Sequence, residues 1–294
     1  MQQAEVVEEA SKPSGSKPSA SQPGASQPVL ELTELGKSFP TAKGEFVAVR
    51  DVSLKVREGE FVSIMGHSGC GKSTVINMIA GLSQSTHGGV LVDNQEVREP
   101  GPDRMVVFQN YSLLPWLSAY QNVDFALASA RTRTGGRVFS MSAAERRDRT
   151  MKYLQMVGLV EARDKLPGEL SGGMKQRVSI ARALALEPRI LIMDEPFGAL
   201  DAITREELQD ELLKIWEDSS TTGVMVTHEI DEAILLSDRI VMMTNGPAAT
   251  VGEVFDVELG RPRSRVGMAE APEYYELRNE ILRFLYEKFA HDDE

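Results

Sequence analysis

The chain has 294 residues, 41% hydrophobic and 26% charged, enough to bury a sizeable core in one large domain with appendages. Its formal charge of -12 argues against nucleic acid as a direct partner and against attachment to anionic lipid by charge, since both need clustered Lys and Arg. Cys70 is the only cysteine, so no internal disulfide forms, which fits a reducing cytosol, and no apolar run approaches the ~20 residues of a membrane-spanning helix.

Residues 1–10, "MQQAEVVEEA", have neither the basic start nor the apolar stretch of a secretory signal. Residues 11–28 are rich in Ser, Pro, Lys and Gln with a five-residue period through Pro13, Pro18, Pro23 and Pro28. They lack the apolar content that offsets ordering entropy, so residues 1–28 are expected to form a disordered tail. From Val29, "VLELTEL" and "FVAVRDVSLKV" read as strands, and "GEFVSIM" is a strand that runs into "GHSGCGKST". "TVINMIAGL" follows with helical spacing. Residues 112–165 carry mostly helical patterns; then "RILIMDEP" and "GVMVTHE" read as buried strands, each feeding a polar turn and a helix. Strands alternating with helices imply an α/β fold with a mostly parallel sheet covered on both faces. Ligand chemistry in such sheets sits at the carboxyl ends of the strands.

The pattern G-x-x-x-x-G-K-[ST] fits Gly66, Gly71, Lys72 and Ser73 between a strand and a helix, the context a phosphate-binding loop requires. Gly66, His67, Ser68, Gly69, Cys70, Gly71, Lys72, Ser73 and Thr74 are therefore expected to hold a nucleotide triphosphate. Glycines let backbone N–H groups turn inward, Lys72 reaches the β- and γ-phosphates, and Ser73 offers its hydroxyl to Mg²⁺. His67 carries no evident role beyond the loop surface. Cys70 is either a thiol activated by the helix end or a small residue that fits. Asp194 and Glu195 end an apolar strand: Asp194 suits magnesium, and Glu195 is placed to polarise an attacking water. The bland reading of that pair is a helix cap. His228 ends another strand, where it is either a satisfied structural histidine or a group that stabilises the γ-phosphate. In "LSGGMKQR", Ser171, Gly172 and Gly173 form a second anion-binding helix start, well separated from the first, although a capped helix after a flexible turn also suits "SGG".

Together these motifs resemble the ATP-binding-cassette transporter ATPases over about residues 29–260. The resemblance implies a P-loop fold of that type, with a mostly parallel core sheet, an antiparallel β subdomain and a helical signature subdomain at about 112–170. Residues 261–294 then form a C-terminal helical extension, in which Leu277, Ile281, Leu282 and Leu285 can share a face. It implies ATP and Mg²⁺ as cofactors, and presentation of the Ser171–Gly173 signature to ATP held by a partner cassette. Gln109 matches the glutamine that touches magnesium, Asp201 of "GALD" the loop that crosses the dimer interface, and Phe39 the aromatic that stacks on adenine, with a core aromatic as its alternative. Lys72, Glu195 and His228 are the expected catalytic residues, and Ser73, Gln109 and Asp194 the metal site.

The segment from Glu99 to Val123 and the ending from Arg261 resemble importers of nitrate, bicarbonate, sulfonates and taurine, the ending most the nitrate and bicarbonate branch. That likeness implies an ATPase on the cytoplasmic face of the plasma membrane, peripheral, with a second cassette subunit, identical or a sister chain. Two membrane-spanning permease subunits and, indirectly, a solute-binding protein complete the assembly. Trp116, Leu117 and Tyr120 are expected to grip a permease helix, or else to be core. A soluble cassette acting on DNA or ribosomes should show a basic groove or tandem cassettes, and neither is visible. Glu195 argues against a module that binds ATP without turnover.

Overall fold

Two sheets divide the apolar residues of the chain between two cores. The structure, a computed structural model, describes residues 27–42, 44–130, 141–217 and 221–289. The expected tail therefore lies outside the described residues except for Gln27 and Pro28, as do residues 131–140 of the helical stretch. In chain order, the hairpin β1 (Leu30–Thr41) and β2 (Gly44–Val56) leads to β3 (Phe61–Met65), α1 (Lys72–Ile79), β4 (His87–Val92), β5 (Gln95–Glu96) and β6 (Arg104–Val107). Helices α2 (Ala119–Ser129), α3 (Ala143–Met156) and α4 (Gly172–Leu184) follow. Then come β7 (Ile190–Asp194), α5 (Ala202–Glu217), β8 (Thr222–Val226), α6 (Ile230–Leu236), β9 (Arg239–Met243), β10 (Val251–Asp256), α7 (Arg265–Glu270) and α8 (Pro272–Phe289).

The small sheet runs β2-β1-β4-β5 and is antiparallel; the large one runs β10-β9-β3-β8-β7-β6 and is parallel except for β10. Successive side chains of a strand point to opposite faces, so a strand covered on both sides reads as an unbroken apolar run. Val62 and Ile64 of β3, Ile190 and Ile192 of β7, and Val224 and Val226 of β8 face the core shared with the small sheet. Phe61, Met65, Leu191, Met193 and Met225 face the other core, shared with the helices. Helix α1 lies between the sheets, burying Val75, Ile76, Met78 and Ile79 in the core that holds Leu30, Leu32 and Leu35 of β1.

The helical side starts with two capping boxes. Ser118 and Gln121 cap α2, and Ser142 and Glu145 cap α3, each pair satisfying two backbone donors that a helix start leaves open. Buried Asn122 then holds the approach to α2, accepting from Leu114 N at 2.9 Å and donating to Leu117 O at 2.9 Å. The C-terminal extension packs on its own chain: Ile281 and Phe284 of α8 are buried, with Tyr274, Leu277 and Leu285 beside them. Leu282 stands off this stripe, and Phe284, which the expected face omitted, lies on it.

Candidate active site

The turn after β3 is built by its glycines. Gly66, Gly69 and Gly71 have φ of 152°, 83° and 96°, in the region that side chains avoid. Gly71 also lacks room, since a Cβ there would meet Val49 Cγ2 at 2.6 Å. The wrap brings the Lys72 ammonium back onto the loop, where it donates to Gly66 O and His67 O, both at 2.8 Å. These partners are carbonyl groups rather than a carboxylate, and the first turn of α1 holds no acidic residue. A buried cation that meets neutral carbonyls rather than a carboxylate, at a helix start, fits the phosphates of a nucleotide.

His67, Ser68 and Gly69 are exposed, and Thr74 is half-buried on α1. Cys70 is buried, and its burial pushes the thiol pKa up despite nearby Lys72, so the thiol stays protonated and the reading as a small residue that fits is the one the geometry favours.

Four neighbouring strands deliver the remaining polar groups to the same edge. Ser73 Oγ donates to Asp194 Oδ1 at 3.3 Å, linking α1 to the end of β7. Burial is the largest influence on Asp194 and raises its pKa, against the hydrogen bond from Ser73, with adjacent Glu195 adding to the rise. Glu195 has a left-handed φ of 44°, which turns the chain out of the strand, while its N–H donates to Val226 O at 2.9 Å. Beyond β6, Gln109 Nε2 donates to Glu195 Oε2 at 3.3 Å. Beyond β8, His228 Nδ1 lies 3.7 Å from Glu195 Oε1, and its side chain is 55% exposed, unlike a buried structural histidine. The Ser73 hydroxyl, the Asp194 carboxylate and the Gln109 side-chain carbonyl are hard oxygen donors of the kind magnesium takes when phosphates complete its shell.

Other nominated residues stand apart from this cluster. Ser171 caps α4, accepting from Met174 N at 3.3 Å, and a Cβ on Gly173 would meet Thr204 Cγ2 at 2.4 Å, so that glycine also lets α5 approach. Asp201 starts α5, accepting from Thr204 N at 3.1 Å, and that bond lowers its pKa. Phe39 is 41% exposed with the Lys37 ammonium 5.3 Å from its ring centre, so it is not a core aromatic. Trp116 is 71% exposed, whereas Tyr120 packs partly against the helical core.

Two features escaped the sequence reading. An apolar groove of about 470 Å³ lies between the helices and β6, lined by Leu82, Met105, Phe108, Leu114, Phe125 and Ala126 among others; Trp116, Leu117 and Tyr120 do not line it. Arg182, half-buried on α4, donates to Ser112 O at 2.6 Å and Tyr111 O at 3.1 Å, bracing two left-handed residues just after Gln109. Its signal was a lone arginine in the apolar run "VSIARALAL".

Comparison with known proteins accords with this geometry. The family model described as ABC transporter matches residues 49–198. The chain is 58% identical over 260 residues to the nitrate import ATP-binding protein NrtD of Synechococcus elongatus, covering 88% of this chain and 92% of that protein. It is 54% identical to the bicarbonate transport ATP-binding protein CmpD of Synechocystis sp., covering 90% and 91%. A solved dimeric ATP-binding cassette in a post-hydrolysis state, bound to ADP and Pi, superposes with a TM-score of 0.67 at 34% identity, covering 79% of this chain and all of that one. The chain therefore belongs to the ATP-hydrolysing cassettes of the ABC transporters.

Proposed function

We propose that this chain drives import of a small anion, nitrate (with nitrite) before bicarbonate, sulfonate or taurine, from the cytoplasmic face of the plasma membrane. One observation carries the catalytic part: Lys72, Ser73, Gln109, Asp194, Glu195 and His228 converge on one edge of four adjacent strands. The nitrate preference rests on 58% identity to a nitrate import protein, against 54% to a bicarbonate one. Among the described residues no helix is long and apolar enough to cross a membrane, which fits peripheral attachment.

In this reading the loop amides and Lys72 bind the triphosphate, Phe39 stacks on adenine, and Ser73, Asp194 and Gln109 hold magnesium. When bound, magnesium neutralises charge on the β- and γ-phosphate oxygens. Glu195 orients and polarises the attacking water, whose oxygen bonds to the γ-phosphorus as the bond to the bridging oxygen of ADP breaks. His228 steadies the γ-phosphate as charge develops. Ser171, Gly172 and Gly173 close over the nucleotide of a second cassette, and Asp201 crosses between the two. A permease helix occupies the apolar groove beside Phe125, since exposed apolar surface of this kind marks an interface.

The test is the transporter assembled with its co-purified membrane subunits in proteoliposomes. ATP should drive uptake of labelled nitrate in preference to labelled bicarbonate. Glu195→Gln and His228→Ala should each abolish uptake while ATP still binds, whereas Lys72→Ala should impair binding itself. Normal steady-state hydrolysis by either of the first two variants removes the role assigned to that residue.

A further inference from the structure

The start of α6 hides an acid that the reaction above does not use. Glu232 is 5% exposed and its neighbours are as deeply buried, Gln209 at 3% and Thr227 at 2%. Gln209 Nε2 donates to Glu232 Oε2 at 2.6 Å, across 23 residues of sequence, while Thr227 lies only five residues back along the chain, just before the helix that carries Glu232. A carboxyl this deep is tolerated only with such a partner, and its place between three elements makes it a joint rather than a surface charge.

Thr227 directly precedes His228. Its N–H donates to Ile64 O of β3 at 3.3 Å, and its Oγ1 accepts from Glu229 N at 3.0 Å. The turn that presents the imidazole is thus held from β3 and by Glu229, and Glu232 fixes the start of the helix that follows it. Because the His228 side chain is half exposed, its placement depends on that backbone turn.

The chain of contacts continues away from the site. Gln209 uses both ends of its amide, since its Oε1 accepts from Arg265 of α7. One turn earlier on α5, Arg205 pairs with Glu229 at 3.2 Å and donates to Leu200 O at 3.2 Å, inside the loop that ends at Asp201. Arg205 and Glu229 are the charged groups that face Glu232, with opposite signs.

We infer that Glu232 is a positioning residue for His228: by anchoring the first turn of α6 to α5 it fixes the turn that presents the imidazole, and through Gln209 and Arg265 it ties that turn to the C-terminal extension. This rests on the γ-phosphate role proposed for His228. The phosphate loop is not part of the joint, so its loss acts on turnover rather than on ATP affinity.

The test measures ATP hydrolysis by the assembled transporter carrying single substitutions of the full chain. Glu232→Ala should lower kcat about tenfold, as a modest displacement of a reacting group does, with KM for ATP within about twofold. Glu232→Gln keeps an acceptor for Gln209 and should restore kcat to within about twofold of the parent. Arg265→Ala, at the half-exposed far end, should lower kcat severalfold with an unchanged KM. A Glu232→Ala protein that melts cooperatively and turns over at the parent rate overturns the inference, as does a Glu232→Gln protein as slow as Glu232→Ala. Should Glu232→Ala fail to accumulate, Arg265→Ala decides: parent kcat there overturns the tie to the extension. If His228→Ala proves fully active, the underlying reading falls instead; if it is dead while Glu232→Ala is normal, this inference alone falls.

Discussion

Glu232 also makes a stability prediction, because burial pushes its pKa up to about 7 from an ordinary 4.5. A carboxyl that the fold prefers protonated contributes stability fully below pH 4.5, and the contribution is lost as pH rises through about 7. At pH 8 the native state then carries a penalty of about 3 kcal/mol relative to acid conditions. Glu232→Gln removes the titration, so urea unfolding should find it about 1–3 kcal/mol more stable than the parent at pH 8 and nearly equal at pH 4.5. Equal differences at both pH values would contradict the assignment. A second residue-scale prediction concerns Gly71. With φ of 96° and Val49 Cγ2 only 2.6 Å from a Cβ, Gly71→Ala should cost about 2 kcal/mol in denaturant melts and abolish nucleotide binding in a calorimeter. The two residues also differ in legibility. Gly71 announces itself through its fixed spacing to Lys72, a local constraint that one loop must obey. Glu232 sits in "DEAILL" like any acidic helix start, and only the approach of Gln209, 23 residues away, makes it a buried joint.

At the scale of elements, α8 shows what periodicity conveys and what it leaves open. Apolar residues three and four apart declared an amphipathic helix, and Leu277, Ile281 and Leu285 do lie on the packed stripe. The width of a stripe depends on what it meets. Here Gly252 of β10 leaves a hollow in which a Cβ would come within 2.6 Å of Phe284 Cζ, so the ring turns inward and Leu282 is left aside. Hydrogen bonds from Tyr274 and Arg278 to Asp231, both at 2.8 Å, fasten the same helix to α6. Phe284→Ala should therefore cost about 3 kcal/mol of stability or release α8, read as a lower unfolding midpoint and faster amide exchange in the last helix. The strands were more legible than the helices: β3, β7 and β8 are buried, mainly apolar segments because each is covered on both faces, with Ser63 the one polar residue inside β3. Their order in the sheet was not legible, since a parallel pairing leaves no local trace of which strand lies next to which.

For the whole molecule, the division into two cores separates the two jobs proposed for it. The phosphate loop hangs between β3 and α1, braced by the small sheet, whereas the apolar groove lies on the helical side against β6. Gln109 stands between them, touching Glu195 on one side, with the following residues held by Arg182 on the other. A chain of net charge -12 gains little from anionic lipid, so in the proposed reading its attachment comes from apolar contact with a permease helix. Apolar contact is not weakened by added salt, which screens charges over about 3 Å at 1 M. Washing membranes with 1 M salt, about seven times physiological strength, should therefore leave the chain bound. Phe125→Glu should release it, because the substitution puts a charge in the groove. ATP binding by the purified Phe125→Glu protein should match that of the parent, since its phosphate loop is untouched. Sedimentation of membranes before and after the wash, with blotting for the chain, reads both outcomes. Salt release of the parent protein would assign its attachment to charge and take the groove out of the account.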